Sequence, residues 1–409
     1  MLRTTVFFVA FAFGLLLAPA GSAVALTFGV HTPSDPFGGT TRNVDELQQD
    51  TGRAIELVSW FQNWGGEPWV SQAHPHVFGA VTGSGRRPMV TWEPWRPGDG
   101  PWQPRFSLQR IVAGEFDEYI ARWARSLRAL GTTVYLRPMH EMNGNWYPWS
   151  GTVNGNSPAL YKQAWARMHT IFRICGASNV KWVFSPITED WPLEPGNRFE
   201  RYYPGRELVD VLALDGYNWG STKPRFGGWR SFRTTFSDAY RRLSRRGPQP
   251  IWIAEVGSAT EGGDKAQWVR DMFRTAAKMR RLRVIIWMDT VDEREGDWRV
   301  RSPYDVTWAF HPDRLVAAAA SLESLRVAGV RAGSRITLRW SDMGADEDVV
   351  RWRIYLNGER LRTLSATRER VFRRRMRHAG RYRWTVRGID VNGDTVVSAS
   401  RSARVLRRR

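Results

Sequence analysis

Eight short apolar runs recur through the first three quarters of the chain, and each is nearly continuous rather than alternating. They lie at Leu26–Val30, Ile55–Trp60, Pro88–Thr91, Thr133–Leu136, Val180–Ser185, Val211–Leu214, Ile251–Ala254 and Val284–Trp287. Such runs are typical of strands that are buried on both faces. Segments whose apolar residues recur at helical spacing follow several of these runs, at Phe116–Leu130, Leu160–Cys175, Phe232–Leu243, Lys265–Met279 and Asp313–Leu325. The alternation predicts a (β/α)8 TIM barrel over residues 26–325.

A doubly wound α/β sheet is the competing architecture. No glycine-rich dinucleotide fingerprint follows the first run, which favours the barrel. After Leu325 the pattern changes to short alternating runs with hairpin signals at Asn357–Gly358 and Asn392–Gly393. This second pattern predicts a small all-β sandwich over residues 326–409.

Polar and aromatic side chains follow each of the eight apolar runs. Because the parallel strands of a barrel place their C-terminal ends at one face, we expect these side chains to meet there. The candidate site residues are Trp92 after the third run, Arg137, His140, Glu141 and Trp146 after the fourth, Tyr217 after the sixth, Glu255 after the seventh and Trp287 at the end of the eighth.

Two glutamates at this face suggest a specific chemistry. Glu141 and Glu255 follow strands four and seven, which lie on opposite sides of the barrel mouth, so long side chains can converge over its axis. Retaining hydrolysis of a glycoside needs two carboxyl groups about 5–5.5 Å apart. Crowding by His140 and Trp146 would raise the pKa of Glu141 towards that of a working acid. Glu255 must stay ionised, which a hydrogen bond from Tyr217 would favour.

Structural explanations compete with this hypothesis. Glu141 could form a buried ion pair with Arg137, and His140 could be a hydrogen-bonded core residue. Trp287 could simply fill the top of the barrel, since most tryptophans are packing residues. The position of all these residues at strand ends favours the catalytic interpretation.

These residues carry a resemblance to glycoside hydrolase family 26. The matching stretches are Arg137–Trp146, Leu214–Trp219, Ile253–Gly257 and Trp287, within residues 26–325. The resemblance implies that Glu141 is the acid/base and Glu255 the nucleophile, and that sugar subsites are lined by His140, Trp146, Tyr217 and Trp287. Family members act on β-mannan, mixed-linkage β-glucan or β-1,3-xylan. Some mannan-acting members carry arginine after the strand-eight tryptophan, where this chain has Met288.

The sequence therefore predicts a retaining β-glycanase that hydrolyses β-linked polysaccharide such as β-mannan or mixed-linkage β-glucan. The alternative is a catalytically weak glycan- or cell-wall-binding protein, which would need neither an acid nor a nucleophile. His74 and His76 are the one close histidine pair, without a carboxylate at zinc-like spacing. No phosphate-cradling loop is present either, so we expect no metal and no cofactor.

The two ends of the chain suggest where it works. Residues 1–25 resemble a secretory signal, with Arg3, an apolar run and a small-residue cleavage site, so we expect a secreted protein, possessing no transmembrane segment. From Arg326 onward there are 22 arginines, no lysine and eight acidic residues, a net charge of +14 within a total of +20. We expect this basic module to bind an anionic cell-wall polymer, the alternative being a solvated face.

The sandwich region resembles a fibronectin type III module, through Trp340, Tyr382 and the hairpin that follows. No recognised nucleic-acid-binding fold accompanies the arginines, so we expect no specific nucleic-acid partner. The protein is expected to be a monomer.

Overall fold

Eight parallel strands close into a barrel in chain order. They are β1 (Thr27–His31), β2 (Leu57–Asn63), β3 (Arg87–Glu93), β4 (Val134–Pro138), β5 (Val180–Phe184), β6 (Val211–Asn218), β7 (Ile251–Ser258) and β8 (Leu282–Met288). The closing pair β8–β1 places Val30 opposite Trp287. The computed structural model describes residues 26–66, 71–223, 226–292, 296–301, 305–311, 326–328, 335–339, 349–365, 371–389 and 395–406. Every predicted run is a strand, so the predicted barrel is confirmed.

Helices connect the strands and cover the outside of the barrel. They are α1 (Arg42–Thr51), α2 (Pro75–Gly83), α3 (Leu108–Ala113), α4 (Asp117–Ala129), α5 (Pro158–Ile174), α6 (Phe232–Ser244) and α7 (Lys265–Ala276). Four of the five predicted helices are present within about four residues of their expected bounds. The fifth, predicted at 313–325, lies outside the described residues.

Alternation along each strand divides the side chains into two sets. One set fills the barrel interior and consists of Leu57, Met89, Val183, Val211, Ala213, Trp252, Ala254, Val284 and Ile286. The other set packs outward against the helices, as Val90 and Ile285 do on β3 and β8. Because the period of a strand is two residues, the same parity decides which side chains reach the site at the strand ends.

After β8, β9 (Val291–Asp292) pairs antiparallel with β10 (Gly296–Asp297), and two further antiparallel sheets follow the barrel. One sheet contains β11 (Arg326–Ala328), β12 (Arg335–Arg339) and β15 (Val371–Arg375). The other has the order β14 (Glu359–Ser365), β13 (Arg351–Leu356), β16 (Gly380–Ile389), β17 (Thr395–Val405). Leu338 from the first sheet and Trp352 and Trp384 from the second share one apolar cluster. This small antiparallel β structure after the barrel agrees with the predicted fold class.

Several expectations fall on residues outside this description. The proposed signal at 1–25, the side chain of Trp340 and the turn at 392–393 are among them. The division of the chain at residue 325 stays a prediction for the same reason. Within the described ranges, every helix falls short of the length and apolarity that a bilayer span requires.

Candidate active site

An irregular turn at the end of β4 presents Glu141. The backbone of Met139 and of Glu141 is left-handed, with φ of 48° and 50°, a conformation that costs a non-glycine residue about 1–2 kcal/mol. The turn breaks the strand alternation, and the adjacent residues His140 and Glu141 are both buried near Glu255. The Glu141 backbone N–H donates to the carbonyl of Ser185 (2.8 Å). Its Oε2 accepts from the indole N–H of Trp146 (2.8 Å).

A bulge in β7 presents Glu255. The register of β7 against β8 shifts between Ile253 and Val256, and a bulge of this kind redirects a side chain. One carboxylate oxygen of Glu255 accepts from Nη2 of Arg137. The other accepts from the hydroxyl of Tyr217 at 2.5 Å. Two donors, one of them charged, favour the ionised form of this carboxylate.

Arg137 lies at the centre of the site and is fully buried. Its Nη1 donates to Oδ1 of Asp215 (2.8 Å), and its Nε donates to the hydroxyl of Thr91 (2.9 Å). Although the sequence also allows an ion pair between Arg137 and Glu141, the direct partners of the guanidinium are Asp215 and Glu255. Glu141 is therefore left with a neutral donor, Trp146.

Four buried carboxyl groups surround this one guanidinium: Glu93, Glu141, Asp215 and Glu255. Full ionisation would leave an excess of buried negative charge, which is costly. Burial, reinforced by the charges of Glu255 and Asp215, raises the pKa of Glu141 well above its usual range. Burial also raises the pKa of Glu93 to about 8. The site thus keeps protons on Glu141 and Glu93 near neutral pH, while two hydrogen bonds favour ionised Glu255.

His140 lies between two of these acids. Its Nε2 is 3.8 Å from Oε1 of Glu255, and its Nδ1 is 4.0 Å from Oε1 of Glu93. Burial, together with the charge of Arg137, lowers the pKa of His140 well below its usual value. The imidazole is therefore uncharged near neutral pH, and it adds polarity to the site without adding charge.

Aromatic rings form one wall of the site. Tyr217 stacks on Trp298 with centroids 5.0 Å apart, and the edge of Trp219 meets Trp298 at 5.2 Å. A Cβ at Gly257 would approach Trp298 to 2.9 Å, so the ring lies directly against β7. Trp298 was not among the predicted residues. It belongs to the loop after β8, far from any quoted motif, and only its place beside a glycine and an aspartate could have drawn attention to it.

Two predicted sugar-binding residues lie elsewhere. Trp92 and Trp287 are fully buried on the outward face of their strands. Trp92 packs against Trp123 at 5.5 Å, and Trp287 packs edge-on against Phe310 at 5.0 Å. Their position differs from the expected subsite lining because strand parity turns them towards the helices.

The residue that follows each of these two tryptophans faces the site instead. Glu93 follows Trp92 and faces His140. Met288 follows Trp287 and packs with Trp298, close to Tyr217 and Phe61. Asp215, which the sequence also placed at a strand end without singling it out, accepts from both Arg137 and Ser185. Among the described residues, no group of three metal-ligating side chains could hold a metal ion.

The chain is similar in sequence to known glycoside hydrolases. The model of glycosyl hydrolase family 26 matches residues 107–239, a range that contains Glu141. Endoglucanase H of Acetivibrio thermocellus is 35% identical over 291 residues, covering 70% of this chain and 30% of that protein. The chain thus spans less than a third of the length of that relative.

A second relative and a solved structure extend the comparison. A mannan endo-1,4-beta-mannosidase of Bacillus subtilis is 28% identical over 181 residues, covering 42% of this chain and 43% of that protein. The structure of a Cellulomonas fimi endo-beta-1,4-mannanase double mutant superposes with a TM-score of 0.53 at 18% identity, covering 93% of this chain and 94% of that one. At this identity the likeness concerns the fold.

Proposed function

The barrel of this chain is a glycosyl hydrolase family 26 domain, and from that premise we propose that the protein hydrolyses β-linked polysaccharide with retention of configuration. The observation that carries the proposal is the unequal environment of two carboxyl groups in one site. Glu141 holds a proton because it is buried beside other acids. Glu255 accepts hydrogen bonds from a guanidinium and a hydroxyl.

These two states match the two roles of a double displacement. Ionised Glu255 attacks the anomeric carbon while Glu141 gives its proton to the glycosidic oxygen, and the bond between sugar and leaving group breaks. The sugar is then an ester of Glu255. In the second step Glu141, now ionised, takes a proton from water, the water oxygen attacks the anomeric carbon, and Glu255 leaves as a carboxylate. Tyr217 and Arg137 stabilise the charge that returns to Glu255.

We propose β-glucan as the first substrate to test, with β-mannan second. The relative that covers most of this chain is named an endoglucanase, whereas the mannosidases cover 24–42% of the chain. Met288 also supports this choice. It packs in an apolar cluster with Trp298 beside the site, where some mannan-acting members have an arginine. A neutral wall offers no charged donor to a sugar hydroxyl.

Release of reducing sugar from mixed-linkage β-glucan, lichenan, β-mannan and β-1,3-xylan tests the proposal. Glu255→Ala should abolish turnover on every substrate. Glu141→Ala should lower kcat/KM on polysaccharide by about 10²–10⁴-fold yet spare the first step on an aryl glycoside with a good leaving group. Azide should then rescue Glu141→Ala and give a β-glycosyl azide.

The matched control is Glu118→Gln, because Glu118 is exposed on α4, outside the barrel. This variant should keep full activity. An inverted anomer as the first product of the wild type would contradict the retaining mechanism. If the wild type binds these glycans but releases no sugar from any of them, the catalytically weak binding protein is the better description.

We also propose that the protein is secreted and that its basic C-terminal part is a fibronectin type III-like module that holds it at an anionic cell surface. The hydroxyl of Tyr382 donates to the carbonyl of His378, four residues upstream, at 3.2 Å. Such a bond resembles the tyrosine corner of β-sandwiches. N-terminal sequencing of protein from the culture medium should give a start near Leu26. A full-length N-terminus found only inside cells would contradict secretion.

A further inference from the structure

Arginine is the main residue on one face of the strand pair β13–β16. Alternate residues of β13 and β16 point into the apolar cluster, among them Trp352, Ile354, Trp384 and Val386. The residues between them face outward. Together with one residue of β14, they give this basic face, which consists of Arg351, Arg353, Arg360, Arg381, Arg383 and Arg387, with Tyr355 and Thr385 among them.

The arginines of the basic face repel one another. Arg353 lies directly opposite Arg387 in the β13–β16 ladder. Side chains in such cross-strand positions have Cβ atoms about 4.5–5.5 Å apart, and like charges there are destabilising. The single carboxylate on the described strands β13, β14 and β16 is Glu359, which pairs with Leu356 and therefore sits on the opposite parity. Within these described strands, the face therefore concentrates positive charge with no carboxylate on it, and an anion bound there would relieve the repulsion.

The side chains on the face limit the kinds of partner that it could bind. The guanidinium of Arg387 lies 4.6 Å above the ring of Tyr355, so this ring is covered and does not offer a stacking platform for a nucleobase. The large apolar side chains exposed elsewhere on the described surface, such as Trp191 and Leu193, include none from β13, β14 or β16. A bilayer-inserting surface would need them.

The arginines also form a line. Arg381, Arg383 and Arg387 follow one another along β16 at intervals of two and four residues. At about 3.3 Å per residue, these intervals place charges about 7 and 13 Å apart. A single small anion can satisfy one such position, whereas a chain with repeated charges can follow the row. Arginine suits phosphate because its planar fork donates two parallel hydrogen bonds.

We propose that the basic face binds a linear polyol phosphate, a polymer that carries one phosphodiester in each repeating unit. The inference rests on the proposed role of the C-terminal module as a surface anchor, and it names the face and the ligand class. The polymer runs along β16, where Arg381 and Arg383 contact neighbouring phosphates, Arg387 contacts a phosphate further along the polymer, and Arg353 shares that phosphate with Arg387. The active site in the barrel takes no part.

Binding of full-length protein to fluorescent poly(glycerol phosphate) tests this proposal. The double variant Arg353→Gln/Arg387→Gln removes both arginines that contact one phosphate. Each neutralised phosphate contributes about −0.7 to −0.9 to the slope of log affinity against log salt, so the slope should become shallower by about 0.8. At about 0.1 M salt, the affinity should fall by about 5–8-fold. The variant should also melt at a higher temperature than the wild type in the absence of polymer, since the cross-strand repulsion is gone.

The matched control is Arg373→Gln/Arg374→Gln. These arginines are exposed on β15, which belongs to the other sheet, and the control removes the same charge. Its affinity and salt slope should remain close to those of the wild type. An equal loss in both double variants would overturn the proposal, because net charge alone would then explain binding. Equal affinity of the wild type for polygalacturonate, anionic vesicles or oligo(dT) would overturn the ligand class.

Hydrolysis of a soluble oligosaccharide separates this inference from the catalytic proposal. Both double variants should hydrolyse it at the wild-type rate. Loss of polymer binding with full turnover is the expected result. Polymer binding by the basic face in a protein that hydrolyses no glycan would support this inference while contradicting the proposed enzyme.

Discussion

Replacement of Glu93 by glutamine tests the electrostatics of the site through folding stability. Glu93 is 4% exposed at the end of β3. Burial raises the pKa of its carboxyl group from the ordinary 4.5 to about 8. Between these two pH values the folded protein holds a proton that the unfolded chain has released. Wild-type stability therefore falls as the pH rises through this window, because the unfolded state binds fewer protons than the native state.

The magnitude follows from the same two values. A pKa difference of one unit corresponds to about 1.4 kcal/mol. The penalty from Glu93 thus grows from near zero at pH 4.5 to about 5 kcal/mol at pH 8. Glutamine has nearly the same shape and no proton to release. The free energy of unfolding of Glu93→Gln minus that of the wild type should therefore rise by about 1.4 kcal/mol per pH unit across the window and level off above it.

Urea unfolding followed by tryptophan fluorescence measures this difference at a series of pH values from about 5 to 9. Glu118→Gln is the control, because it makes the same substitution at an exposed position on α4. A difference for Glu93→Gln that does not change with pH would refute the reasoning. A difference that falls with pH would show that Glu93 is an ionised, paired carboxylate in the folded protein.

Three further predictions concern the site. Activity on polysaccharide should fall at alkaline pH as Glu141 loses its raised-pKa proton, and the residual activity of Glu141→Gln should lack this limb in a kcat/KM profile; if it keeps the limb, Glu141 is not the acid. Trp298→Leu should lower kcat/KM on soluble β-glucan about 3–10-fold, since Tyr217 loses an aromatic contact of about 0.5–1.5 kcal/mol, and wild-type kinetics would contradict this. Lys265→Met should lower the free energy of unfolding by about 1–3 kcal/mol because the ammonium donates to the carbonyls of Asp297 (3.3 Å) and Arg299 (2.8 Å), the two residues that flank Trp298; urea melts should show no such loss for exposed Lys278→Met.

The barrel and the approximate bounds of its elements could be predicted from local sequence. Strands buried on both faces must be apolar almost throughout, and this makes each of them visible in one dimension. The strand bounds were less accurate than the strand count. β6 and β7 continue four residues past the predicted ends, to Asn218 and Ser258. The last four residues of each strand include polar residues of the site, so they lack the apolar pattern that identified the earlier part of the strand.

The environment of the predicted acids needed the fold. The sequence is compatible with a pairing of Arg137 with Glu141, but in the folded protein β6 also brings Asp215 to the guanidinium. Asp215 and Glu255 together occupy the strong donors of Arg137, so that Glu141 is left with an indole N–H. No local pattern predicts this division, because the partners come from strands that are far apart in the chain.

What the sequence by itself determined is the set of residues that reach one end of the barrel, since strand order and direction fix that end. Only the tertiary structure decided which of two neighbours faces the site, as with Trp92 and Glu93 or Trp287 and Met288. A register difference of one residue reverses every side chain of a strand, and bulges and left-handed turns change the alternation locally. The protonation of Glu93 and Glu141 was likewise decided by the fold, because burial and neighbouring charge exist only after the strands have assembled.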